Sequence, residues 1–88
     1  MNVEFRASFA KDLKNISNID ILKRVREKIE EIELAHNLQS ISGLKKLKSA
    51  GKYYRIRVGE YRIGLILKGD TFVFARCLDR KEIYRYFP

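Results

Sequence analysis

The chain is poor in the residues on which several kinds of chemistry depend. It has one cysteine, Cys77, so no internal disulfide can form, and a reducing compartment is expected. It has one histidine, His36, with no second histidine or cysteine beside it at ligand spacing, so no zinc site is expected. A cysteine–histidine nucleophilic pair would have to join Cys77 to a distant His36 near a helix end, which the predicted geometry opposes. The sequence has no glycine-rich nucleotide loop, no acidic pair suited to two-metal catalysis, no repeat and no low-complexity stretch. No metal and no cofactor are expected. The opening MNVEFRASFAKDLK is charged almost at once, and no apolar run is long enough to span a bilayer. Cytoplasmic residence without membrane contact is the expectation.

What is present suits one compact domain over residues 1–88, with 45% hydrophobic and 11% aromatic residues. A chain this short buries a limited core, so a stabilising partner is expected. Nineteen basic and eleven acidic residues give a formal charge of +8. The excess is one-sided. Residues 1–34 hold seven basic and seven acidic residues, whereas residues 35–88 hold twelve and four. A basic half points to a polyanionic partner, nucleic acid first.

Hydrophobic periodicity predicts an α+β fold. Val3–Phe5 reads as a short first strand. Phe9, Leu13 and Ile16 follow helical spacing after Ser8, a candidate N-cap. Ser17 with Asp20 reads as a second helix start, and Leu22, Val25, Ile29 and Ile32 continue the apolar stripe. Together these form an antiparallel helical hairpin with one buried face. Residues 36–51 read as a loop, with Leu44 and Leu47 as anchors and Lys45, Lys46 and Lys48 in solvent or near a phosphate. Three period-two strands follow, Lys52–Val58, Tyr61–Lys68 and Thr71–Leu78, joined by Gly59-Glu60 and Gly69-Asp70. The predicted sheet is small and antiparallel, a short N-terminal strand plus a three-stranded meander. The tail DRKEIYRYFP reads as a short helical turn carrying Ile83, Tyr84 and Phe87.

Two-residue turns fix register, so cross-strand partners can be counted. Val58 faces Tyr61, Arg57 faces Arg62, Ile56 faces Ile63 and Arg55 faces Gly64. In the second hairpin Leu65 faces Phe74, Ile63 faces Arg76 and Arg62 faces Cys77. One face then holds Tyr54, Ile56, Val58, Ile63, Leu65, Phe72 and Phe74 as core. The other holds Tyr53, Arg55, Arg57, Arg62 and Gly64, with Ile66, Val73, Ala75 and Cys77. Arg76 falls on the core side, where a structural ion pair with a helix carboxylate would accommodate it. Arginine opposite arginine destabilises a bare sheet by roughly 0.2–1 kcal/mol. Three guanidiniums around a glycine leave a hollow suited to phosphate oxygens. RNA brings its own nucleophile, the 2′-hydroxyl, so a site of Arg, Lys and Tyr could cleave it without metal. The same groove could equally only bind RNA.

The runs YYRIRVGEYRIGLIL (53–67) and FARCLDRKEIYRYF (74–87) resemble the RelE/ParE toxin superfamily, in a Y-x-I-x-V strand, a G-x-Y-R turn and a late R-x-x-x-Y. The resemblance implies a RelE-like mRNA interferase of a type II toxin–antitoxin system. Such toxins cleave mRNA in the ribosomal A site by 2′-hydroxyl attack, leaving a 2′,3′-cyclic phosphate, and are blocked by a cognate antitoxin. It implies contacts to mRNA and ribosomal RNA. By position, Arg55 and Arg57 match the pair of basic strand residues that stabilise the transition state, Arg62 the residue that holds the scissile phosphate, Arg80 the proposed general acid and Tyr84 the aromatic that stacks on a base. Lys45, Lys46, Lys48, Lys52, Tyr53 and Lys81 are expected to contact RNA. Two departures stand out. Arginine, with a pKa above about 12, is a poor general base at position 57. Asp79 stands where many relatives carry histidine, and is expected to orient Arg80. A ParE-like inhibitor of DNA gyrase and a non-catalytic RNA-binding module are the competing readings.

Overall fold

The computed structural model describes residues 1–47 and 51–88. In chain order it forms β1 (Asn2–Phe5), α1 (Ala7–Lys14), α2 (Ile19–Leu34), a 3₁₀ turn (Leu38–Ser40), β2 (Leu44–Lys46), β3 (Tyr53–Val58), β4 (Tyr61–Lys68), β5 (Thr71–Asp79) and α3 (Ile83–Tyr86). The strands make one sheet in the order β1-β5-β4-β3-β2. The meander of β3, β4 and β5 is antiparallel as expected, but the sheet is mixed, because β1 joins the far side of β5 in parallel. A fifth strand also forms where a loop was expected: β2 pairs with β3, Leu44 opposite Ile56 and Lys45 opposite Arg55. Three residues between serine- and glycine-rich flanks are too few to show a period of two.

Gly59 and Gly69 take φ of 58° and 61°, and no non-glycine residue has positive φ among the described residues. Glycine first, then an ordinary residue, is the type II′ pattern whose twist matches paired strands. These turns hold the β3–β4 register as counted, with Arg57 opposite Arg62 and Arg55 opposite Gly64. The β4–β5 register holds from Lys68–Thr71 to Leu65–Phe74 and then shifts by one residue. Gly64 faces Arg76, Ile63 faces Cys77 and Arg62 faces Leu78. The expected pairs Ile63–Arg76 and Arg62–Cys77 are therefore corrected. The cause is one extra residue on β5, a bulge around Ala75, with no glycine to announce it.

The helix side of the sheet carries the larger core. Phe9 and Ile16 from the α1 region and Ile21, Val25 and Ile32 from α2 pack on Tyr54, Ile56, Val58, Ile63, Leu65, Phe72 and Phe74. Cys77 belongs to this core, not to the opposite face, because the bulge inverts its side. Burial of each large aliphatic or aromatic side chain contributes about 1.5–3 kcal/mol. The other side carries a smaller cluster, Ile66, Val73 and Ala75 beneath Ile83 and Phe87 of the tail.

The helix starts also differ from expectation. Ser8 lies inside α1, where its hydroxyl donates to the Ala75 carbonyl at 2.6 Å, and Arg6 precedes the helix without a side-chain cap. Asn18, rather than Ser17, caps α2 by accepting from the Asp20 and Ile21 amides at 2.9 and 3.3 Å. No helix of the described residues is long and apolar enough to cross a membrane.

Candidate active site

The site grows from the pairing of β2, β3 and β4. Lys45 stands opposite Arg55 and Arg57 opposite Arg62. Same-face residues two apart on a strand are separated by about 7 Å, so two cationic rows lie side by side. Among the described residues none of these four forms an ion pair. Arg57 is exposed and borders a cleft against α2 that also holds Glu27 and Glu31. Glu31 is already engaged by Lys28 and Ser42.

Arg62 is the fixed member. It is only 9% exposed, and its Nη1 donates to the carbonyls of Gly59 and Tyr61, both at 2.9 Å. Burial pushes its pKa below the ordinary arginine value, and the charges of Arg57, Arg55 and Arg80 push the same way, while Tyr84 opposes them. A buried guanidinium beside three others gains from any anion that enters.

Arg80 reaches the cluster from just beyond β5. Its Nε lies 2.9 Å from a Glu60 carboxylate oxygen, and its amide donates to the Glu60 carbonyl at 2.8 Å. Glu60, not Asp79, is the carboxylate that orients it. Asp79 instead accepts from the Lys81 amide at 2.8 Å. The bulge explains the miss: without the shift Glu60 would face position 79, and with it Glu60 faces Arg80. Tyr84 in α3 is 57% exposed, leaving its ring open to a ligand.

The hollow over Gly64 is not free. A Cβ at Gly64 would lie 2.6 Å from the Phe87 ring, so the tail fills the space expected for a ligand backbone. Tyr53 meets Phe87 edge-on at 5.6 Å between centroids, and Lys52 Nζ lies 5.5 Å above the Tyr53 ring. Lys46 is paired opposite Tyr54 and so has the parity of the helix side, away from Lys45. Lys81 is exposed in the turn after β5, and Lys48 lies outside the described residues. Arg76 makes the expected ion pair, its Nε and Nη2 donating to Asp12 at 2.8 and 3.0 Å, but the bulge sets it opposite Gly64 and so on the tail side of the sheet, not on the expected core side. Burial, then Asp12, raises the Cys77 thiol to about 12, which makes it a poor nucleophile. Among the described residues no three His, Cys, Asp or Glu side chains gather as a metal site.

A profile of the family described as the ParE toxin of the type II toxin–antitoxin system parDE matches residues 3–84. Toxin RelE3 of Methanocaldococcus jannaschii is 47% identical over the whole of both chains. The chain belongs to the RelE/ParE family of type II toxins. The structure of a RelB–RelE antitoxin–toxin complex from Methanococcus jannaschii contains a chain 46% identical to this toxin, with a TM-score of 0.82 over 97% of this chain and 99% of that one. The YoeB dimer from Staphylococcus aureus, 22% identical, shares the fold, with a TM-score of 0.72 over 89% and 94% of the two chains. Both are built on the sheet that carries the arginine cluster here, and the 46–47% relatives place this toxin on the RelE side of the family.

Proposed function

We propose that the toxin is an endoribonuclease that cuts mRNA on the ribosome by metal-independent transesterification. The observation that supports this reading most directly is Arg62, buried and fixed by two carbonyls opposite Arg57, with Arg55 on the same strand as Arg57, Arg80 held by Glu60 of the adjoining turn, and an exposed Tyr84 in the tail. In the reaction the substrate's 2′-hydroxyl gives its proton to water as its oxygen bonds to the adjacent phosphorus. The bond from phosphorus to the 5′-oxygen breaks and that oxygen takes a proton from water, leaving a 2′,3′-cyclic phosphate and a 5′-hydroxyl. Arg62 grips a non-bridging oxygen, Arg55 and Arg57 stabilise the extra charge of the pentacoordinate state, and Arg80 faces the departing oxygen. Tyr84 stacks on a neighbouring base and aligns the attacking sugar. No side chain here is a ready base, so the rate rests on alignment and charge. Lys45, Lys52 and Lys81 extend the contact to flanking phosphates. A cognate antitoxin blocks the site, by analogy with the RelB–RelE complex of the 46% identical relative.

A second reading, inhibition of DNA gyrase, draws on the ParE description of the matching profile. It leaves the exposed tyrosine and the crowded guanidiniums without a task. The test is controlled expression with mapping of mRNA ends on translating ribosomes. Arg62→Ala is expected to reduce cutting by about 10²–10³-fold, the usual loss for one donor to a transition-state oxyanion, while the fold persists. A 2′-deoxy substitution at the cleaved nucleotide is expected to abolish cutting. Gyrase-linked DNA breaks with intact mRNA would overturn the proposal.

A further inference from the structure

We infer that Phe87 is a positioning residue that sets Tyr84 by locking the tail into a socket whose floor is Gly64; the inference rests on the role proposed for Tyr84. One turn of helix cannot hold its own shape, and α3 has four residues. Its position must come from what its side chains touch. Ile83 and Phe87 are 0% and 4% exposed and sit on the sheet with Ile66, Val73 and Ala75. The Phe87 amide donates to the Ile83 carbonyl at 2.8 Å, closing the turn. Three ring atoms of Phe87 lie 2.6–2.9 Å from where a Cβ of residue 64 would stand, closer than real Cβ contacts allow, so only glycine admits the ring there. Tyr53 closes the socket edge-on, and Arg76 lies 5.2 Å from the Tyr86 ring as a second hold. Between two buried anchors, Tyr84 is turned outward into solvent.

The socket is separate from the larger core on the helix side, so it can be emptied while the fold stands. The decisive measurement is a double-mutant cycle on the intact toxin, read by single-turnover cleavage on ribosomes. Phe87→Ala is expected to reduce cleavage roughly tenfold, near the effect of Tyr84→Ala, since base stacking on one ring is worth that order. In the Tyr84→Ala background Phe87→Ala is expected to add almost nothing. Gly64→Ala should reproduce the loss by expelling the ring, and should add little once Phe87→Ala has emptied the socket. Phe87→Leu should recover part of the activity. Fully additive losses would overturn the inference, because Phe87 would then act independently of Tyr84. A second readout needs no RNA. In toxin labelled with 3-fluorotyrosine, the Tyr84 ¹⁹F signal should shift and narrow in Phe87→Ala as the ring gains freedom. An unchanged Tyr84 signal would also overturn it. If the wild-type toxin cuts no RNA, the proposed function fails, while the fluorine signal still decides the lock.

Discussion

Arg62 and Arg80 are held in different ways, and the difference predicts their behaviour. Arg62 is fixed by two backbone carbonyls, which neither compete with a phosphate for charge nor dissociate with salt. Arg80 is held by Glu60, and both side chains are largely in solvent. An exposed pair contributes little to stability, at most about 1 kcal/mol, but its carboxylate sits where a phosphate would be welcome. Replacing Glu60 by Gln should leave the melting temperature nearly unchanged. It should tighten binding of a short RNA several-fold at low salt and raise the salt dependence of that binding. A titration showing weaker binding would mean that Glu60 presents Arg80 rather than restraining it. The Glu60–Arg80 pair also shows what was hidden at this scale. The arginines on β3 and β4 were legible because a two-residue turn fixes their partners. The partner of Arg80 was not, since it lies past a bulge that alanine does not advertise.

At the scale of elements, α1 does the work of a missing strand. β1 covers β5 only as far as Phe74. Beyond it, Ser8 donates to the Ala75 carbonyl, and Asp12 accepts from the Cys77 amide at 2.9 Å while gripping Arg76. Side chains thereby satisfy and blunt an open sheet edge. Asp12 is buried, with three accepted bonds, so Asp12→Ala should destabilise the toxin by about 2 kcal/mol in denaturant titration, as expected when hydrogen bonds to a charged group are lost beside a half-buried arginine. A loss below about 1 kcal/mol would mean that the edge is held by packing alone. The short strand β2 depends on another clamp. Burial alone would raise the Glu31 carboxyl, but Lys28 Nζ at 2.8 Å and the Ser42 amide at 2.7 Å, with the Ser42 hydroxyl, bring it below its ordinary 4.5. A lowered carboxyl pKa gives stability that is present above the unfolded value and is lost as pH falls through the folded one. Amide exchange at Leu44 and Lys45 should therefore accelerate as pH drops below about 4.5, after correction for intrinsic rates, and Glu31→Gln should remove that response. The helices and the meander were legible from period and turn chemistry. β2 was not, because its pairing is fixed by contacts from α2 to Ser42 that no local pattern carries.

For the whole molecule, the sheet separates two tasks. One side is covered by α1 and α2 and holds most of the apolar core. The other carries the cations and the tail, and the sequence shows the same division as a neutral first part and a basic second part. Stability and activity should therefore be separable by mutation. Ribosome binding should weaken steeply with added salt, as expected where several phosphate contacts release counterions. A flat response would remove the electrostatic basis of the proposed function.

Arg57 facing Arg62 has a thermodynamic consequence for the toxin by itself. Two like charges held across a strand pair push against folding until something negative settles between them. A polyanion bound at this pair would relieve that repulsion. A short oligonucleotide or inorganic polyphosphate should raise the midpoint of thermal unfolding, and the rise should shrink in Arg57→Gln. Polyanions of different kinds would then compete for the same pair of arginines, each drawing on a single store of repulsion.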